Sequence, residues 1–432
     1  MSLRRLFRGA RLIDPDSGRD DVGDIIVVGD RIAAIGSNIS AAGLGPDIEV
    51  VEADGLCLAP GLVDMRVQLR EPGAEHIESI ESGSQAAAAG GVTTMVALPN
   101  TEPPVDDVSV VEFLARRARE IGLAKIYTYA AATKGLGGRE LTEIGLLAAN
   151  GALGFTDGVK PIADALVMRR VLAYARTFDQ LVIQHPEEPS LGGAGEVTEG
   201  EIATRLGLAG IPPAAEVIMV ERDLRLVALT GARYHAAHVS TGAAIEAIRR
   251  AKAQGLPVTC DTAPPYFALN ETAIGDYRTF AKLSPPLRGE HDRQAVVAGL
   301  ADGTIDAIAS DHAPWDQDSK RLPFSSASYG IVGLETLLPL SLELCHSRHM
   351  GLLDVLRRLT VTPARILGLG VGRLAAGAPA DFVVFDPQAK YRVETDRFRS
   401  KSKNAPFDGR AVQGRVELTV VDGRTIFERT AA

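Results

Sequence analysis

Cysteine is scarce: the chain has three, Cys57, Cys260 and Cys345, far apart, with no CxxC pair and an odd total. Disulfide frameworks use even, closely spaced sets, so that class is excluded and a reducing cytoplasm is the expected compartment. Also missing is any run near the ~20 apolar residues of a membrane span, and MSLRRLFRGARLIDPDSG lacks the unbroken apolar core of a signal peptide. A soluble, unprocessed protein with no membrane partner is expected. The net charge of −9 is spread along the chain without a basic stripe, which argues against a nucleic-acid partner. No Gly-Gly turn has the lysine and the strand-to-helix context of a phosphate-cradling loop, and low-complexity tracts are missing too.

What the sequence does hold is 432 residues at 46% hydrophobic content, enough for one large core and a smaller appended one. Short β-branched runs ending in polar residues alternate with amphipathic helical stretches, predicting βα units around a parallel sheet. Eight runs read as strands: LVDMRVQL (62 to 69), TTMVALPN (93 to 100), KIYTYAAAT (125 to 133), ALGFTDG (152 to 158), LVIQHPE (181 to 187), RYHAAHVS (233 to 240), PVTCDTAPPY (257 to 266) and DAIASDHAP (306 to 314). Eight such strands close a barrel, so the expected fold class is an α/β protein with a (β/α)8 TIM-type barrel.

Helices are expected over 110 to 122, from 212 behind paired prolines, and over STGAAIEAIRRAKAQG, where Ser240 or Thr241 caps one end and Gly255 closes the other. Residues 1 to 54 read as strands with a turn in VVGDRIAAIG, and 370 to 432 end in TVVDGRTIF with an Asp-Gly turn. These two segments are expected to form one small β domain, leaving 55 to 369 for the barrel. Residues 189 to 210 and 315 to 330 read as loops, the second a candidate lid.

Polar residues at barrel strand ends face the catalytic mouth, which makes Arg66, Gln68, Arg70, Asn100, Asp157, His185, His238, Tyr266 and Asp311 the candidates. Two histidines and two carboxylates converging from four strands suit a cation such as zinc.

The motifs PGLVDMRVQLREPG, AAAAGGVTTMVALPNT, GFTDG, IQHPEEP, YHAAHVST, KLSPPLR and DGTIDAIASDHAP together carry a specific resemblance. From its N-terminal strands to its tail the chain resembles a class I dihydroorotase of the amidohydrolase superfamily. That family interconverts N-carbamoyl-L-aspartate and L-dihydroorotate in pyrimidine biosynthesis, using zinc to hold the attacking hydroxide. The resemblance implies Asp157, His185 and His238 as ligands of one metal, with Asp157 bridging to a second held by Asp311, and Asp311 as the general base. It also implies Arg70 on the substrate carboxylate with Asn100, and Asn270 as a third contact.

Four positions depart from the family pattern. The family's first strand reads HxH, and here it carries Arg66 and Gln68. Arginine offers no lone pair and brings positive charge to a cation's place; glutamine is a poor zinc ligand. Tyr266 follows Pro264 and Pro265 where the family commonly reads PHH, and Trp315 replaces the last histidine of DHAPH. One zinc ion or none is expected.

Each assignment has a plainer competitor. Arg70 could pair with Glu71 or Glu75; of His235 and His238, three apart, only one can face the barrel interior; His312 points away from Asp311, into packing or a supporting hydrogen bond. His76, His291, His346 and His349 read as solvated. Lys160 stands near the fourth strand, where hydantoinases carry a carboxylated lysine, but its spacing from Asp157 is wrong.

Two functional readings follow. One is a non-catalytic dihydroorotase-like protein kept as a partner of aspartate carbamoyltransferase, in which Arg66 neutralises Asp157 and Asp311. The other is an active enzyme with a single metal on Asp157, His185 and His238. By resemblance a homo-oligomer is expected.

Overall fold

Residues 4–37, 39 and 48–430 are described by the computed structural model of the chain. The N-terminal segment forms β1 (Arg4–Asp14), β2 (Arg19–Val28), β3 (Arg31–Gly36), β4 (Glu49–Glu52) and β5 (Cys57–Pro60). The barrel follows as β6 (Leu62–Val67), β7 (Val92–Ala97), β8 (Lys125–Ala130), β9 (Ala152–Phe155) and β10 (Val182–Gln184). A short excursion pairs β11 (Val197–Thr198) with β12 (Gly210–Ile211), after which β13 (Tyr234–Ala236), β14 (Val258–Thr262) and β15 (Ala307–Ile308) complete the barrel. The chain ends in β16 (Phe382–Arg392), β17 (Ala411–Val421) and β18 (Arg424–Glu428).

The eight barrel strands pair in sequence order from β6 to β15, and a parallel bridge from Val67 to His312 brings the last unit beside the first. The fold is therefore a near-closed (β/α)8 barrel. Its second sheet runs β18-β17-β16-β5-β1-β2-β3, with β4 on β1, so N- and C-terminal segments share one layer. Residues Cys57–Pro60 sit in the middle of that layer, parallel to β1 and antiparallel to β16.

Local chemistry sets the element ends. Asp107 accepts from Ser109 N to start the helix Val108–Ile121, which Gly122 ends in the left-handed conformation at φ 64°. Thr241 is the cap of Gly242–Ala253, Ser240 being committed elsewhere, and Gly255 (φ 77°) lets the chain leave. Asp422 and Gly423, at φ 47° and 71°, make the two-residue turn between β17 and β18.

The barrel's filling, including Val63, Met65, Val96, Leu98, Tyr129 and Ile183, comes from strands around the ring, plugged by Ala364, Ile366 and Leu367. A larger core joins the strands to the outer helices, and a third, around Phe7, Ile25 and Phe382, holds the terminal sheet. Among the described residues no helix is long and apolar enough to cross a membrane. All three cysteines are free.

Two expectations shift. Strand β14 stops at Thr262, so Tyr266 is not at a strand end; Pro264 and Pro265 start a short helix, Pro264–Ala268, that carries it. Proline's fixed φ suits a helical first turn and its missing N–H cannot extend a ladder. The segment 315 to 330 is not a bare loop: it is braced internally, Trp315 Nε1 donating to Tyr329 O (2.6 Å) and Lys320 Nζ to Ser328 O (2.6 Å), and Lys282 Nζ reaches it from outside at Phe324 O (2.7 Å).

Candidate functional site

Strand β6 delivers its polar residues beside the segment after β15, because Val67 bridges His312 and Gln68 N donates to His312 O at 2.8 Å. That juxtaposition sets Arg66 against Asp311. Arg66 Nε donates to Asp311 Oδ1 at 2.9 Å, both side chains being under a tenth exposed. Its Nη2 reaches Gly158 O only at 3.4 Å, and its buried Nη1 has no partner among the described residues.

A chain of ring contacts continues from Asp311. His238 Nδ1 lies 3.0 Å from Asp311 Oδ2, His238 Nε2 lies 2.8 Å from His185 Nδ1, and His185 Nε2 meets Ser284 Oγ at 3.4 Å. Both His238 and Asp311 have positive φ, 37° and 51°, and Asp261 accepts from the His238 backbone N–H. Burial pushes the Asp311 carboxyl upward, but His238 and Arg66 overcome that and hold it well below the usual carboxylate range. Burial, then the neighbouring His238 and Arg66, keep His185 neutral, far below the usual imidazole range.

Asp157 is turned away from this chain. Its Oδ1 accepts from Thr133 N at 2.9 Å and its Oδ2 from Thr133 Oγ1, while burial raises its pKa. No ion pair joins it to Arg66 among the described residues, so the arginine compensates Asp311 alone. Thr133 closes the third strand run, KIYTYAAAT, and Ser284 lies in KLSPPLR. Both were legible as polar groups in quoted motifs, yet neither stood among the expected site residues.

At the rim, Asn100 Nδ2 donates to Gln68 Oε1 (2.9 Å). Arg70, at φ 58°, donates from Nε to Pro314 O (3.2 Å) and lies over the Trp315 ring at 4.3 Å. Among the described residues it has no carboxylate within ion-pair distance; Glu71 pairs with Arg117 instead, at 3.0 Å. Burial lowers the Arg70 pKa to about 10. Tyr266 donates from its hydroxyl to Pro285 O.

The remaining candidates are engaged elsewhere. Asn270 caps its own helical turn through Thr272 N and donates to Glu290 Oε2 (2.8 Å), so it is not brought into the group. His235 contacts Thr259 Oγ1 and Asp261, His312 accepts from Gly333 N and lies 3.4 Å from Glu78, and Lys160 is exposed.

The donor set decides whether a cation fits. Asp311 is taken by a guanidinium and an imidazole, the two imidazoles face each other at hydrogen-bond distance, and Asp157 spends both oxygens on Thr133. Among the described residues no group of three or more His, Cys, Asp or Glu side chains is arranged to hold a metal ion. Asp157, His185, His238 and Asp311, the four expected ligands, do not fit one in this arrangement, and Arg66 adds positive charge to it.

Comparison with known proteins places the whole chain. A family model described as Dihydro-orotase-like matches residues 55–244, and one described as Amidohydrolase family matches 300–427. The dihydroorotase of Anaplasma phagocytophilum is 47% identical over 425 residues, covering 98% of this chain and 94% of that protein. That of Geotalea daltonii is 44% identical over 423 residues, covering 98% and 99%. Among solved structures, the L-hydantoinase (dihydropyrimidinase) of Arthrobacter aurescens superposes with a TM-score of 0.87 at 25% identity, covering 99% of this chain and 96% of that one. The dihydropyrimidinase of Brevibacillus agri gives 0.86 at 23%, covering 99% and 95%, a likeness of fold. Identity of this size along nearly the entire length, on the barrel and terminal sheet just described, makes the chain a member of the dihydroorotase family.

Proposed function

We propose that this family member has exchanged metal-dependent ring opening of dihydroorotate for a structural role in pyrimidine biosynthesis, as a partner of aspartate carbamoyltransferase. The observation that carries the reading is the buried Arg66–Asp311 pair. Arg66 and Gln68 stand where the family reads HxH, and a guanidinium beside the carboxylate supplies the compensation a missing cation would otherwise leave undone. Random loss of two ligands would leave a buried carboxylate unpaired; here it is paired.

The test has two arms. The chain is purified without chelator, zinc per chain is measured, and dihydroorotate hydrolysis is assayed at saturating substrate; little zinc and no turnover are expected. Mixing with aspartate carbamoyltransferase is expected to give a larger species by light scattering, and co-elution failing at micromolar concentration would remove the partner role. A second reading, an active single-metal enzyme, is favoured by the facing of His185 Nδ1 and His238 Nε2. Stoichiometric zinc with robust turnover would establish it in place of the first.

A further inference from the structure

At the end of the barrel opposite the site described above, a cavity of about 680 Å³ opens between the helix Val108–Ile121, the start of β8 at Lys125, residues 150 and 151 before β9, and the turn from β17 to β18. These are the N-terminal ends of barrel strands. Thr133, Asp157 and Asp311 all follow C-terminal ends, where barrel chemistry is carried out, so a ligand in this cavity is bound and not converted. The volume lies within the range of about 300–1,000 Å³ that ligand pockets occupy.

Its lining divides into a carbon surface and a charged corner. Leu114 and Ala118 from the helix, Ile126 from β8, Leu153 from β9 and Val421 from β17 supply the first, and the buried Leu114, Ala118 and Val421 anchor it to the packing behind. The charge comes from Arg119, Lys125, Asp422 and Arg424. Lys125 Nζ is spent on Asp381 and Asp422, at 2.7 Å each, which leaves the two arginines. Neither has a carboxylate within ion-pair distance among the described residues.

Gly122 draws these two together, because it ends the helix three residues after Arg119 and its carbonyl accepts from Arg424 Nη2 at 3.3 Å. One corner of the cavity therefore carries two uncompensated guanidinium groups, in a chain of net charge −9. A guanidinium fork fits the oxygens of a phosphate, and two of them match the charge of about −2 that a phosphate monoester carries at neutral pH. A bare phosphate would leave the carbon surface wet. A ligand that also covers that surface gains from its burial.

We propose that this cavity binds an organic phosphate monoester with an apolar or aromatic body, its phosphate held by Arg119 and Arg424 and its body laid on Leu114, Ala118, Ile126 and Leu153. The site is separate from the mouth of the barrel and stands whether or not the mouth performs chemistry.

The experiment is calorimetric titration of the full chain with 1-naphthyl phosphate, with inorganic phosphate, which has the head alone, and with 1-naphthol, which has the body alone. 1-Naphthyl phosphate is expected to bind at least about tenfold tighter than either. Arg119→Gln with Arg424→Gln, both at exposed positions, is expected to weaken it at least about tenfold while leaving 1-naphthol within about twofold. Arg70→Gln, at the mouth, is expected to leave 1-naphthyl phosphate within about twofold. Binding no tighter than that of inorganic phosphate, or an affinity that the double variant leaves intact, overturns the proposal. Loss of binding in Arg70→Gln overturns it as well, since the ligand would then sit at the mouth.

Discussion

Arg66 Nε lies 2.9 Å from Asp311 Oδ1, and the same carboxylate meets His238 Nδ1 at 3.0 Å through its other oxygen. One acidic group at the end of the barrel is thereby satisfied on both sides by this chain's own side chains. The resemblance led one to expect a cation beside this carboxylate; in the structure its neighbours are a guanidinium and an imidazole.

Removing one partner of such a pair is far more costly than removing both. Arg66→Leu is expected to lower stability by about 3–5 kcal/mol, because Asp311 keeps its charge in a buried place. Arg66→Leu with Asp311→Leu is expected to recover most of that loss. Urea denaturation of the three proteins at pH 7 measures both; a single substitution costing less than about 1 kcal/mol would mean that Asp311 is not buried as a charge.

Restoring the family's first strand is expected to be insufficient by itself. Arg66→His with Gln68→His is expected to raise zinc per chain only partly, since Thr133 still holds both oxygens of Asp157. Adding Thr133→Val frees Asp157 Oδ2, while the residue 133 backbone N–H still holds Oδ1, and is expected to raise it further. Elemental analysis of the purified proteins decides, and equal zinc in the double and triple variants would show that Thr133 is no obstacle.

Asp64 gives a pH dependence of known sign. Burial raises its pKa to about 7, offset in part by Ser310 and the Arg66 backbone N–H, and its Oδ2 has no partner among the described residues. A carboxyl raised above its unfolded value contributes stability that is complete below about pH 4 and is lost as pH rises to about 7. Stability is therefore expected to fall across that window by on the order of 4 kcal/mol from this group, and Asp64→Asn to flatten the fall. Denaturation midpoints at pH 4.5 and 7.5 compare the two; parallel profiles would remove Asp64 as the cause.

Gly90, first of the Gly-Gly pair in AAAAGGVTT, ends the helix Ile80–Ala89 against backbone. A Cβ there would stand 2.1 Å from Leu334 O, a contact no side-chain movement relieves. Gly90→Ala is expected to cost about 1–3 kcal/mol, read as a lowered melting temperature. An unchanged value would mean the 334 segment moves freely.

The barrel was legible because its signal is periodic: eight β-branched runs, each ended by polar residues and followed by an amphipathic stretch, survive in any one strand's absence. The terminal sheet was legible from its turns, Asp422-Gly423 above all. Site geometry was legible only where a single strand fixes it, as for Arg66 and Gln68. Asp157 turns toward Thr133 of the neighbouring unit, and Arg70 lies on Trp315 more than two hundred residues away in sequence, so neither orientation has a local signal. Tyr266 was misplaced for a different reason, since a Pro-Pro pair reads equally as a strand end or as a helix start.

The position of β5 has a bearing on how the chain is made. Cys57–Pro60 completes its pairing only when Phe382–Phe385 arrives, because β16 supplies one of its two neighbours. During synthesis the Cys57–Pro60 edge therefore stays open until the whole barrel, whose last strand is Ala307–Ile308, has been translated. Closing so long a loop is a slow step, and nascent chains stalled before β16 are the ones most exposed to aggregation and most in need of a chaperone.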